Sequence, residues 1–111
     1  MTVKTHDFAS SIDRVATISS DKSKAVKFAI NNNSLTLTVI NPDAGTAVEK
    51  VDVSYEADDL EVGFNARYLL DIASQISGDT MTFILEDPGA PALINDSAHE
   101  DATYVLMPMR V

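Results

Sequence analysis

Leu60-Glu61-Val62-Gly63-Phe64-Asn65-Ala66-Arg67-Tyr68-Leu69-Leu70-Asp71 changes its hydrophobic period midway. Leu60, Val62 and Phe64 alternate with Glu61 and Gly63, the two-residue repeat of a half-buried strand. After Asn65 the repeat lengthens, and Leu69, Ile72, Ala73 and Ile76 fall on one face of a helix. Asn65 suits the N-cap, because its side-chain oxygen can accept from the free N–H groups of the first turn. Gly78 reads as the helix stop.

Downstream, three more strands are expected at Thr80–Glu86, about Ala92–Asp96 and Ala102–Met107. Upstream the same order recurs. Thr2–Thr5 reads as a short strand, and a helix follows from near Asp7 to about Ser19 with Phe8, Ile12 and Val15 as its apolar stripe. Asp7 suits the positive end of that helix dipole. Strands are expected at Lys22–Asn31, Leu35–Val39 and Ala47–Tyr55. Asn31-Asn32-Asn33 makes a turn, since asparagine tolerates positive φ, and Asn41–Gly45 makes a loop. Each half thus reads β-α-β-β-β, an internal duplication. The expected fold is one α+β domain over residues 1–111, with two helices in one layer packed on about eight antiparallel strands.

At 111 residues, 45% apolar and 23% charged, the chain has the size and composition of one globular domain. No apolar run approaches the roughly 20 residues of a membrane span. The first residues lack a signal-peptide core, and cysteine is absent, so a cytoplasmic protein without disulfides is expected. Seventeen acids against eight bases give a net charge of −9, which opposes conventional binding to phosphate. Lys22, Lys24 and Lys27 nevertheless cluster, whereas Asp43 to Glu61 holds seven acids against Lys50 alone.

Catalytic patterns are missing. His6 and His99 each stand without a second histidine near in sequence, and Asp58-Asp59-Leu60-Glu61 lacks the ligand ladder of a calcium loop. Ser19-Ser20 has no nucleophile elbow, and no glycine-rich phosphate loop exists. Neither an enzyme nor a metal or cofactor site is expected.

The ending Tyr104-Val105-Leu106-Met107-Pro108-Met109-Arg110-Val111 begins as a strand, with Tyr104 and Leu106 on one face and Val105 and Met107 on the other. Pro108 should end its ladder, having no N–H to donate. Two thioethers astride a proline suit a surface that accepts several partners, though a last core strand with an apolar stub would read the same. Arg67 and Asp71 stand one turn apart as a candidate ion pair, and Tyr68 is either a wet helix anchor or part of a binding face.

The Gly63–Asp71 segment and the Tyr104–Val111 ending together resemble the bacterial sliding clamp family, the β subunit of DNA polymerase III, and within it the third, C-terminal domain. Ile12-Asp13-Arg14-Val15 followed by Ser19–Val26 carries the likeness further, so that it spans about Phe8 to Val111. The resemblance implies a DNA-clamp domain of two repeated units whose helices line a ring as a positively biased wall, with Arg14 and Arg67 toward the DNA. It implies a groove for partner peptides at Asn65, Tyr68, Val105, Met107, Pro108, Met109 and Arg110, with Pro91 of the loop Pro88-Gly89-Ala90-Pro91 at its rim. The rest of that groove would come from the preceding domain. Thr17 and Ile18 map onto the contact that joins a homodimeric ring, where two bulky apolar residues are usual and threonine here departs from the pattern. Implied partners are encircled DNA, the polymerase III catalytic subunit, the clamp loader and other proteins with a clamp-binding motif. Encirclement needs little affinity for phosphate, so the acidity is compatible with it. The alternatives are a free-standing peptide- or protein-binding α+β module that forms no ring and, more distantly, a small acidic enzyme.

Overall fold

Four phenylalanines, one from each of four elements, meet at the centre of the molecule. In the computed structural model, which describes residues 1–17, 25–41 and 45–109 (backbone alone at 41 and 100–102), Phe8 packs at 5.3 Å from Phe83 and 6.0 Å from Phe28, ring centre to ring centre. Phe28 lies 5.0 Å from Phe64, edge to face. The elements that bring them together are β1 (Thr2–Lys4), α1 (Thr5–Ala16), β2 (Ala25–Asn31), β3 (Ser34–Asn41), β4 (Gly45–Ser54), β5 (Leu60–Asn65), α2 (Ala66–Gln75), β6 (Thr80–Ile84), β7 (Ala92–Asp96) and β8 (His99–Leu106). Two helices and eight antiparallel strands match the expected α+β class and the repeated β-α-β-β-β order. The repeat extends to packing. Phe28 and Phe83 are the fourth residues of β2 and β6, and Phe8 and Leu69 the fourth residues of α1 and α2; all four are buried.

The strand order is β5-β2-β3-β4-β1-β6-β7-β8. Each half therefore lends its first strand to the other: β1 pairs with β6 through Val3↔Met81, and β5 pairs with β2 through Phe64↔Val26. Strand β1 also joins β4 at Val53 and Ser54. The helices lie against each other, α1 over β3 and β4 and α2 beside β5. Alternation puts Leu35, Leu37 and Val39 of β3 into the core opposite the helices' apolar stripes.

Local chemistry explains the connections. Asn32 and Asn33 both take positive φ, 49° and 63°, in a two-residue hairpin between β2 and β3, which matches the twist of the strands. The Asn33 side chain then accepts from the Tyr55 N–H at 2.7 Å and ties the turn to the end of β4. Three expectations change. Helix α1 begins at Thr5, two residues before Asp7, and His99 opens β8 instead of lying in a loop. Gly78 does not cap α2, which ends at Gln75 with Ile76 already extended. Ile18–Ser20, Lys22–Lys24, Asp43 and Arg110–Val111 lie outside the described residues.

Candidate functional site

The Asn65 reading holds in detail. Its side-chain oxygen accepts from the backbone N–H groups of Arg67 at 2.9 Å and Tyr68 at 3.3 Å, so α2 starts there and Tyr68 stands on its first turn. Tyr68 is 57% exposed. Across from it, β8 turns Leu106 into the core and leaves Val105 and Met107 outward, 61% and 62% exposed. Pro108 ends β8 as expected, but the chain does not stop pairing. The Met109 N–H donates to the Gly63 carbonyl at 2.7 Å, a single bridge from the strand end to β5. A proline removes one donor from the ladder, not the next residue's.

Between α2 and β8 lies a groove of about 530 Å³, walled by Tyr68, Val105, Met107 and Met109 and floored by Ile72 and Leu106. Asn65, Asp71 and Pro108 complete its lining. The volume and the apolar walls fit a pair of side chains from a peptide. On the far side of Pro108 and Met109 a second cavity of about 540 Å³ is lined by Lys27, Glu61, Gly63, Pro88 and Gly89. Lys27 and Glu61 form an exposed ion pair there at 3.4 Å. Its loop is pinned by Asp87, whose side chain accepts from the Gly89 N–H at 2.8 Å.

The structure therefore brings together Asn65, Tyr68, Val105, Met107, Pro108 and Met109. Pro91 is exposed before β7 and lines neither cavity. Arg110 and Ile18 fall outside the described residues. Thr17 is exposed at the end of α1, its hydroxyl donating to the Arg14 carbonyl at 2.7 Å. Arg14 is bonded to Glu49 of β4 and reaches Ser11 at 3.1 Å, so its charge is already partnered. Arg67 is exposed, and among the described residues it forms no ion pair with Asp71. The described helix layer carries Arg14 and Arg67 against Asp7, Asp13 and Asp71, which is not the positive wall expected. Sequence reasoning missed Ile72 and Leu106 as the floor and Asp71 as a wall. Their apolar periodicity marked two of them, but as core.

One acid is buried away from the groove. Asp96 accepts from the backbone N–H groups of Ser77 at 2.9 Å, Gly78 at 3.0 Å and Ala98 at 2.9 Å. The Ser77 bond, with the other backbone donors and nearby His99, holds its carboxyl below the usual range despite the opposing pull of burial. Among the described residues no three His, Cys, Asp or Glu converge as a metal site, and no helix is long and apolar enough to cross a membrane.

Known proteins share this fold. The family profile for the C-terminal domain of the DNA polymerase III β subunit matches residues 1–110. The β sliding clamp of Caulobacter vibrioides is 51% identical over 104 residues, 94% of this chain. Among solved structures, the sliding clamp of Bartonella birtlesii bound to griselimycin superposes with a TM-score of 0.95 at 51% identity, covering 99% of this chain and 30% of that one. The polymerase III β subunit of Pseudomonas aeruginosa gives 0.93 at 33% identity over the same share of this chain. This chain spans 28% of the length of the Caulobacter relative. With profile, identity and superposition in agreement over nearly every residue, the chain belongs to the family of C-terminal domains of the DNA polymerase III β subunit, the sliding clamp of DNA replication.

Proposed function

We propose that this chain is a non-catalytic part of a sliding clamp that holds partner proteins by short peptides seated between α2 and β8. The observation that carries the reading is the groove of Tyr68, Val105, Met107 and Met109, whose apolar side chains are exposed at a strand end where nothing in the domain's own core needs them. Methionine on both sides of a proline lets the pocket repack around different aliphatic or aromatic anchors. In the complete ring such a groove tethers the polymerase III catalytic subunit, the clamp loader and other motif-bearing proteins to encircled DNA. Tethering acts by raising local concentration at the primer end. The assembly is a homodimeric ring working in the cytoplasm.

Ring closure has support in β4. Its edge away from β3 meets β1 only at Val53 and Ser54, which leaves residues 45–52 without a ladder partner among the described residues. An open edge is a template for another strand, and Thr17 ends the helix that packs over β4. A free-standing module would share the groove but would have no use for that edge.

A peptide with glutamine followed by spaced leucine and phenylalanine should shift the amide resonances of Asn65–Tyr68 and of residues 105–109, with lower affinity when these 111 residues are tested by themselves than in a whole ring. Losing about 80 Å² of apolar contact costs about 2 kcal/mol, roughly thirtyfold. Tyr68→Ala should weaken the complex a further tenfold or so. Shifts confined to Glu49–Glu61 would place the site on the wrong face.

A further inference from the structure

Six of the eight large apolar side chains exposed among the described residues lie in one region. Four belong to the groove. The other two, Ile84 and Leu93, continue it in register: Ile84 lies directly opposite Leu93 between β6 and β7, and Leu93 directly opposite Val105 between β7 and β8. Their exposures, 44% and 37%, show that the domain does not fold over them. Directly opposed residues on one sheet face sit about 5 Å apart, so Val105, Leu93 and Ile84 form a continuous apolar row roughly 10 Å long. The next row on the same face is polar, with Thr82 opposite Asn95 and Asn95 opposite Thr103, whose hydroxyl bonds the Asn95 side chain at 3.0 Å. Water-facing rows elsewhere on this half thus follow the ordinary alternation. The row that runs into the groove does not.

We propose that a partner's footprint leaves the groove at Val105 and crosses the outer sheet face along Leu93 to Ile84, where a second apolar segment of the same partner docks. The inference rests on the peptide groove being the partner site. The occupant is a segment next to the anchoring peptide, because the row begins at a groove wall and a spacer of three or four extended residues, at about 3.3 Å each, spans it. Its chemistry is aliphatic or aromatic, because no charged side chain projects from the row. Burying about 50 Å² of apolar surface there corresponds to roughly a tenfold gain in affinity.

Three peptides test this on the 111-residue chain by calorimetry and amide NMR: the anchor motif alone, and the motif extended at either end by a four-residue Gly/Ser spacer and a Leu-Phe pair. One extended peptide should bind roughly tenfold tighter than the short one and shift Ile84 and Leu93 as well as the groove. Leu93→Ser, an exposed change, should abolish that gain while the short peptide still binds, which also shows that the variant is folded. If the short peptide binds but neither extension gains affinity or moves Ile84 and Leu93, the extended footprint is wrong and the groove stands. If the short peptide does not bind, the groove reading falls, and the footprint with it. A gain that survives Leu93→Ser likewise overturns the row as its cause.

Discussion

Gly78 sits where the chain leaving α2 passes under the β7–β8 turn. A Cβ built there would meet the Ser97 hydroxyl at 2.1 Å and the backbone nitrogen of Ala98 at 2.7 Å, so the residue is glycine for space and not for helix capping. Gly78→Ala should destabilise the domain by about 1–3 kcal/mol, read from urea unfolding, because the backbone atom it strikes cannot rotate away. The same crossing is held by Asp96, whose two carboxylate oxygens receive three backbone N–H groups. Its pKa is depressed in the folded state, so its contribution is present above the ordinary carboxylate pKa and is lost as pH falls through the lower, folded value. Asp96→Asn should therefore melt earlier than wild type at neutral pH, with the gap closing as the buffer is taken below about pH 4. Thermal melts across that range check the sign; a gap that widened in acid would contradict it.

At the scale of elements, α2 depends on a single side chain at its start. Asn65→Ala removes the acceptor for two N–H groups and should cost about 1 kcal/mol, and it should weaken peptide binding because Tyr68 stands on the turn that the cap fixes. This junction was the most legible part of the sequence: a period change from two to 3.6 with asparagine at the break admits few other structures. The groove's exposed walls were legible through the family likeness, since Val105 and Met107 alone fit a core strand equally well. Its floor was not, because Ile72 and Leu106 carry the same apolar signal whether they face a core or the bottom of a pocket. Nor was the Arg14–Glu49 bond, which joins residues that only the packing of α1 on β4 brings together. With that charge partnered and the chain at −9, the isolated domain should bind short duplex DNA no better than roughly 10⁻⁴–10⁻⁶ M at physiological salt by fluorescence anisotropy.

Across the whole molecule, the exchange of first strands makes the two halves one cooperative unit. Val3 depends on Met81 and Val26 on Phe64, and the four phenylalanines draw on both halves. Denaturation should give a single transition by fluorescence and circular dichroism alike, and a fragment of residues 1–58, which has lost β5 from one side of β2 and β6 from one side of β1, should remain unfolded. Strand β1 completes its pairing only some eighty positions later, where Thr2 meets Thr82 of its second neighbour, β6. During synthesis this domain consequently has no early resting place. Neither half can settle as it leaves the ribosome, because β1 has only Val53 and Ser54 of β4 to pair with until β6 emerges on its other side.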